Sequence, residues 1–219
     1  MLKVKCLILD HDDTVVNSTK SIHYPAFLKT LSIVRPNEKA LSQDMFVRYC
    51  YDLGFEGLCN TIYQFTPEEM LIEYQTWKSF TSTVIPEIYL GIKELILKFK
   101  EMGGYIVVVS HSESSEIIRD YLHHFNIEPD LIYGWELGSE KRKPQAFPLI
   151  DTMSKLEIKN TDCLVIDDMR FGRVMSEQCA VPFGCAGWSI SDAFIADEMK
   201  NSSDLYFNTV DELYSYLFD

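Results

Sequence analysis

The fold is decided near the N-terminus, by the stretch Val4-Lys5-Cys6-Leu7-Ile8-Leu9-Asp10-His11-Asp12-Asp13-Thr14. Its apolar first half is typical of a buried strand in a parallel sheet. Asp10 and Asp12 follow directly, at the end of the strand where such sheets bind ligands. Because side chains alternate along an extended backbone, both carboxylates point the same way. Two like charges in one crevice are costly unless a cation or a shared proton relieves them. The pattern therefore predicts a functional site, with an acidic turn after a strand as the alternative.

The composition is that of a globular protein with an acidic surface. The chain has 219 residues, of which 47% are hydrophobic and 24% charged, and a formal net charge of −13. This length suits one α/β domain, or one domain with a modest insertion. Because phosphate-backbone binding needs clustered lysines and arginines, the charge argues against nucleic acid, and equally against an anionic membrane surface. The six cysteines form no C-x-x-C pair, so we expect reduced thiols in a cytoplasmic protein.

The rest of the sequence predicts two kinds of structure. Residues 19–80 show the patterns of consecutive helices, one of which begins with a capping box from Thr66 to Glu69. From Pro86 onward strand and helix patterns alternate, among them a strand at 105–109, a helix at 114–125, and strands near 182–185 and at 204–207 with no helix predicted between them. This alternation is typical of right-handed βαβ units. We therefore predict an α/β fold, with a Rossmann-like parallel sheet flanked by helices and an inserted α-helical cap that can act as a lid. The predicted boundaries are 1–15 and 86–219 for the core and 16–85 for the cap.

Further polar residues follow the later predicted strands or stand in a loop before a helix. They are Ser110, Lys143-Pro144 and Asp167-Asp168. Each has an ordinary explanation by itself, as a turn serine, a solvated lysine or a pair of helix-capping aspartates. Those explanations do not account for their joint order along one rim of the sheet, after the carboxylate pair that ends the first strand.

That order resembles the haloacid dehalogenase superfamily of phosphohydrolases. Residues 9–18 are similar to its first motif, usually D-x-D-G-T-L-x-D-S. Ser110 resembles its second motif, Lys143-Pro144 its third and residues 165–168 its fourth. Residues 89–92 are similar to the segment that returns from cap to core. The nearest subgroup is that of phosphoglycolate phosphatase and β-phosphoglucomutase, in which a C1 helical cap occupies the place of the insertion.

The resemblance implies a role for each carboxylate at the strand ends. Asp10 would be the nucleophile that attacks phosphorus, and Asp12 the general acid and base, protonated at the start of the reaction. Mg²⁺ would be the cofactor, bound by the side chains of Asp10 and Asp167 and by the backbone carbonyl of Asp12. A hard, oxygen-liganded cation also suits the chemistry, because a phosphate dianion otherwise repels an approaching carboxylate.

The resemblance also implies supporting residues. Ser110, His111 and Lys143 would bind the phosphate, since hydroxyl, amide and ammonium groups stabilise the transferring phosphoryl oxygens. Asp168 and Thr14 would lie behind the direct ligands, with Asp168 orienting the metal's waters or Lys143.

Three positions depart from the family pattern. Asp13 replaces the usual glycine, Asn17 replaces a frequent aspartate, and Phe171 stands where a second aspartate of the fourth motif often lies. The first change adds negative charge and the last removes a carboxylate, so both bear on metal affinity.

We therefore expect a magnesium-dependent phosphatase that hydrolyses a small phosphorylated metabolite through an aspartyl-phosphate, as a monomer or weak dimer. A phosphomutase of the same superfamily keeps all four motifs and stays open as an alternative. A non-catalytic protein that binds a phosphorylated ligand in a regulatory role is a second alternative. A dehalogenase is disfavoured, because by resemblance that chemistry uses neither the metal nor the acid–base Asp12.

Overall fold

A six-stranded parallel sheet forms the centre of the computed structural model, which describes residues 2–219. The strand order is β3-β2-β1-β4-β5-β6. The strands are β1 (Cys6–Leu9), β2 (Tyr105–Val109), β3 (Leu131–Tyr133), β4 (Cys163–Asp167), β5 (Phe183–Ala186) and β6 (Leu205–Phe207). The predicted α/β fold class is thereby confirmed.

Nine α-helices among residues 2–219 surround or extend this sheet. They are α1 (Tyr24–Val34), α2 (Gln43–Gly57), α3 (Pro67–Thr81), α4 (Ile92–Glu101), α5 (Ser114–Phe125), α6 (Phe147–Lys155), α7 (Arg170–Cys179), α8 (Ala193–Ser202) and α9 (Val210–Phe218). No helix in this part of the chain is long and apolar enough to cross a membrane.

The register of the three central strands brings the predicted site residues to one edge. Leu9 of β1 lies opposite Val108 of β2 and Ile166 of β4. Because the three strands are parallel and end together, the residues that follow them meet at the same carboxyl edge. The sheet is buried on both faces, so successive β1 side chains enter two different apolar clusters. The strand ends are therefore held by a rigid, fully buried scaffold.

The helices α1–α3 lie between β1 and β2 and have an apolar core of their own. This core is built mainly from aromatic side chains, including Phe27, Phe46, Tyr63 and Phe65. The two connections to the sheet run side by side, because Val16 forms an antiparallel bridge with Ile88. The division into a core and a cap at residues 16–85 stays a prediction, and we use "cap" below for these three helices.

Most predicted elements occur where periodicity and capping placed them. The strand Tyr105–Val109 and the helix 114–125 have the predicted bounds, and Thr66 makes the predicted capping box at the start of α3. The prediction missed α8, whose N-cap Asp192 accepts hydrogen bonds from the first backbone N–H groups of that helix. The first strand is also shorter than predicted, since it begins at Cys6 and not at Val4.

Candidate active site

The centre of the site is a buried ion cluster around Lys143. Its Nζ lies 2.7 Å from Oδ1 of Asp10 and donates a hydrogen bond of 2.7 Å to Oδ2 of Asp167. All three side chains are at least nine-tenths buried. Burial by itself would lower the pKa of Lys143, but the charges of the two carboxylates outweigh it and raise that pKa. The ammonium group is therefore a fixed positive charge between the ends of β1 and β4.

The ammonium group of Lys143 does not fully compensate the negative charge of Asp10. Burial raises the pKa of Asp10 to about 7; Lys143 opposes the rise, whereas Asp167 and Asp12 add to it. A further cation beside Asp10 would restore the charged form that a nucleophile requires.

Asp12, two residues after Asp10, accepts hydrogen bonds from three side chains. Its Oδ2 accepts from Ser112 Oγ at 2.6 Å and from Ser110 Oγ at 3.1 Å, and its Oδ1 lies 3.0 Å from Nε2 of His23. Burial acts to raise the pKa of Asp12, but the charge and hydrogen bond of His23, with the Ser112 bond, hold it well below its usual range. In this state Asp12 is a carboxylate, so any proton that it donates in a reaction has to be acquired when substrate binds. The acid–base role of Asp12 stays a prediction.

His23 connects Asp12 to the cap. It precedes α1, and the indole N–H of Trp77 on α3 donates to its Nδ1 at 3.2 Å. An accepting Nδ1 leaves the proton of a neutral imidazole on Nε2, which faces Asp12. Burial works to lower the pKa of His23, but the charge and hydrogen bond of Asp12 raise it. A cap helix and the segment that leads into α1 thus take part in orienting one carboxylate of the core.

Three carboxylates at the strand ends can hold a metal ion. Asp10, Asp167 and Asp168 each offer an oxygen, and these atoms lie within 4.8 Å of one another. Asp168 is nine-tenths buried, and its Oδ1 has no hydrogen-bond partner within residues 2–219. Burial, then the charges of Asp167 and Asp13, raise the pKa of Asp168 well above its usual range. Since an unpaired buried carboxylate is costly, these residues fit a hard cation such as Mg²⁺.

The two aspartates of the fourth motif differ in how far they are already occupied. Both oxygens of Asp167 accept hydrogen bonds, one from Lys143 and one from the backbone N–H of Met169 at 2.7 Å. Asp168 keeps one oxygen free. This contrast favours Asp168 as a direct ligand, whereas the sequence-based prediction chose Asp167 and left Asp168 behind it.

One ring nitrogen of His111 is engaged within the protein. The Nε2–H group donates to the backbone carbonyl of Lys143 at 2.9 Å, and the ring packs edge-on against Trp135 and Phe171. Burial, with the charge of Lys143, lowers the pKa of His111 to about 4, so the ring is neutral. The imidazole therefore supports the Lys143 loop, and a contact of His111 with phosphate stays a prediction.

The predicted supporting residue Thr14 is fully buried behind the loop. Its hydroxyl has no partner among the described residues, and its carbonyl accepts a hydrogen bond of 3.2 Å from the indole N–H of Trp188. It thus lies in the packing under the site.

Asp13 and Phe171, two of the departures from the motif, now have a structural explanation. Asp13 has a φ of 55°, in the left-handed region where glycine is usual and aspartate or asparagine is tolerated. Phe171 packs against the cap: a Cβ on Gly54 would lie 3.3 Å from its ring, and Gly54 interrupts α2 with a φ of 73°. Phe171 is thus a contact between core and cap, and does not occupy the carboxylate cluster.

Comparison with known proteins agrees with this geometry. The model of the haloacid dehalogenase-like hydrolases matches residues 7–185, which includes the strand ends that carry the site. The chain belongs to this family. A search of curated proteins gives no match.

Solved structures of the family share the whole fold of this chain. A haloacid dehalogenase-like hydrolase from Bacteroides fragilis superposes with a TM-score of 0.80 at 17% identity, covering 96% of this chain and 100% of that one. A predicted phosphoglycolate phosphatase from Haemophilus somnus gives 0.76 at 15% identity, covering 99% of each chain. CbbY from Rhodobacter sphaeroides, solved with phosphate, gives 0.73 at 13% identity, covering 96% of each chain. At these identities the likeness concerns the fold.

The cap of this family member is fastened to the core from two sides. On one side Arg48 of α2 lies 2.7 Å from the carboxylate of Asp192. On the other, Lys78 of α3 lies 2.9 Å from Glu113 and 2.5 Å from Glu116. These contacts tie the cap helices to segments at the carboxyl edge of the sheet.

Several residues of the site were missed by sequence reasoning. His23 and Ser112 contact Asp12, and Trp77 contacts His23. Gly172 allows Asp167 to approach, since a Cβ there would lie 2.4 Å from Asp167 Oδ2. The serine carried a signal, because it stands two residues after Ser110, the period that returns an extended chain to the same side. The cap residues carried no local signal, because only the docking of α3 brings them to the site.

Proposed function

We propose that this hydrolase is a magnesium-dependent phosphatase that acts on a small phosphorylated metabolite through an aspartyl-phosphate on Asp10. The observation that carries the proposal is the arrangement at the end of β1. Asp10 lies beside a fixed ammonium and two further carboxylates, while Asp12, two residues on, is held by hydroxyl and imidazole groups. Two carboxylates in such different surroundings suit two different roles.

In the first half of the reaction Asp10 is the nucleophile. One of its carboxylate oxygens forms a bond to phosphorus as the bond from phosphorus to the ester oxygen breaks. Lys143, the Ser110 hydroxyl and the strand-end amides stabilise the charge on the three phosphoryl oxygens. Mg²⁺, which Asp10, Asp168 and the Asp12 carbonyl would hold, supplies the positive charge that lets a carboxylate meet a phosphate dianion.

Asp12 carries out the proton transfers in both halves of the reaction. The arriving phosphate brings negative charge next to Asp12, which raises its affinity for a proton. Asp12 then donates that proton to the departing alkoxide oxygen. In the second half it takes a proton from the water that attacks phosphorus. The bond between phosphorus and the Asp10 oxygen breaks as the water adds, so inorganic phosphate leaves and Asp10 returns to its carboxylate form. Asp12 then releases its proton to solvent.

Hydrolysis of nitrophenyl phosphate with magnesium, and with excess chelator, tests the proposal. We expect turnover that chelator abolishes and magnesium restores, and that Asp10→Asn reduces to background. The exposed Asp197→Asn is the matched control, with the same chemical change on α8. Full activity in chelator, or near-normal turnover by Asp10→Asn, contradicts the mechanism. Phosphate binding without any turnover would favour the non-catalytic alternative.

A further inference from the structure

A crevice of about 260 Å³ opens between the cap and the core beside the carboxylate cluster. Lys20 and Gln43 line it on the cap side, and Tyr89 and Trp188 line it on the core side. Asp13 and Asp168 line it as well, so the crevice reaches one of the proposed metal ligands. The crevice therefore reaches from the boundary between cap and core to Asp168.

The negative charge of Asp13 is not needed for the local fold. Its backbone N–H donates to Val16 O at 2.7 Å, and its Oδ1 accepts the N–H of Thr19 at 3.2 Å. Asparagine would make both bonds and also tolerates a φ of 55°. What distinguishes the aspartate is its charge, which lies half-buried in the crevice.

Asp13 and Asp168 both contribute negative charge to the crevice. Tyr89 lines the crevice together with both aspartates, and its pKa is raised first by burial and then by the charges of Asp13 and Asp168. The Asp168 Oδ1 atom is buried and has no partner among the described residues. A carboxylate on the wall of a crevice that leads to an unpaired, buried carboxylate forms a path of negative potential, which concentrates cations.

The crevice is present while the ion pairs between cap and core are intact. The Arg48–Asp192 and Lys78–Glu113 ion pairs hold both sides of the cap against the core. The crevice is open while they are intact.

We propose that this crevice is the route by which a divalent cation reaches Asp168 while the cap stays closed, and that Asp13 is the outer carboxylate that attracts the cation. The inference rests on the proposed magnesium-dependent function and adds to it a path and a residue. Lys20, exposed at the crevice, has the opposite charge and weakens the attraction.

Metal binding by the intact protein tests the proposal without any turnover. The affinity for Mn²⁺ is measured from the free-ion signal in electron paramagnetic resonance. The rate of Tb³⁺ association is measured by stopped-flow luminescence, with Trp188 in the crevice as a sensitiser. The variants are Asp13→Asn and Asp13→Gly, which both fit the left-handed backbone, and Lys20→Gln. Glu128→Gln, exposed in the loop before β3 at the other end of the sheet, is the control.

We expect Asp13→Asn and Asp13→Gly to bind Mn²⁺ roughly tenfold more weakly and Tb³⁺ more slowly, because a full charge near the cation is lost. Lys20→Gln should change both quantities in the opposite direction, which a general loss of structure cannot do. Gln43→Phe, which narrows the crevice, should slow Tb³⁺ association and leave the Mn²⁺ affinity unchanged.

Two results would overturn the inference while the proposed function stands. One is metal binding by the wild type together with Asp13 variants that match Glu128→Gln. The other is Gln43→Phe associating as fast as the wild type. A wild-type protein that binds no Mn²⁺ and hydrolyses phosphate esters in chelator would remove both the inference and the metal dependence on which it rests.

Discussion

Lys143 Nζ lies 2.7 Å from Oδ1 of Asp10, and both side chains are almost fully buried. The same ammonium bonds to Asp167, so one cation serves the ends of two neighbouring strands. Removing one partner of a buried ion pair leaves an uncompensated charge, which typically costs about 3–5 kcal/mol.

Lys143→Met should therefore lower the free energy of unfolding by roughly that amount in chelator, and should abolish phosphatase activity. Urea denaturation and a nitrophenyl phosphate assay measure the two effects. Lys141→Met, an exposed lysine two residues earlier, should change neither. A Lys143→Met protein as stable as the wild type would show that the carboxylates are neutral in the free protein.

The two aspartates of the fourth motif should differ in their effect on metal dependence. Asp168→Asn should raise the magnesium concentration for half-maximal activity more than Asp167→Asn, because only Asp168 keeps an unpartnered oxygen. For Asp167→Asn, where the side chain acts behind the direct ligands, we expect the half-maximal magnesium concentration to rise roughly tenfold to a hundredfold. Magnesium titration of both variants decides the ranking, and a larger effect of Asp167→Asn would restore the assignment made from sequence.

Asp12→Asn should separate proton transfer from phosphoryl transfer. Loss of general acid–base catalysis usually costs about 10²–10⁴-fold in rate. The loss should shrink for nitrophenyl phosphate, whose leaving group needs no proton, and stay large for an alkyl phosphate. The variant should also accumulate the phosphorylated enzyme, which mass spectrometry locates. An adduct on a residue other than Asp10 would refute the mechanism.

His23→Gln should mimic part of this behaviour, because His23 holds the same carboxylate. We expect a roughly tenfold loss of kcat with alkyl phosphates, within the range of acid–base effects, and a smaller loss with nitrophenyl phosphate. Trp77→Phe keeps the packing, loses only the indole N–H to His23, and should have a weaker effect of the same kind. Equal losses on both substrates would assign His23 to cap support alone.

Glu73 on α3 should make the stability of the protein depend on pH. Burial raises its pKa from 4.5 to about 7, with a smaller opposing effect of His23. Between these values the folded state holds a proton that the unfolded state has lost. The free energy of unfolding should therefore fall as pH rises from 4.5 to 7, by about 3 kcal/mol, and stay lower above that.

Glu73→Gln removes this titration, so its stability relative to the wild type should increase over the same pH range. Urea denaturation at pH 5 and pH 8 measures the difference, with the exposed Glu128→Gln as control. A difference between variant and wild type that is the same at both pH values would mean that Glu73 is ionised in the folded protein throughout.

Some structural elements are set by residues only a few positions apart, and these can be predicted from the amino-acid sequence. The apolar runs before Asp10 and Ser110, the capping box at Thr66 and the glycine that interrupts α2 act through neighbours a few residues away. Since parallel strands must expose their carboxyl ends at one edge, the convergence of Asp10, Ser110 and Asp167 also followed from the strand pattern.

Which of these side chains contact one another depends on how distant segments pack in the folded protein. Lys143 pairs with Asp10 and Asp167, and Asp168 keeps an oxygen without a partner. The His111 ring donates a hydrogen bond to the Lys143 carbonyl. His23 and Trp77 entered the site because the cap helices dock above it, 11 and 65 residues beyond Asp12 in the chain. Such contacts depend on packing between distant segments and on the charge that burial leaves uncompensated, and neither is encoded in local spacing.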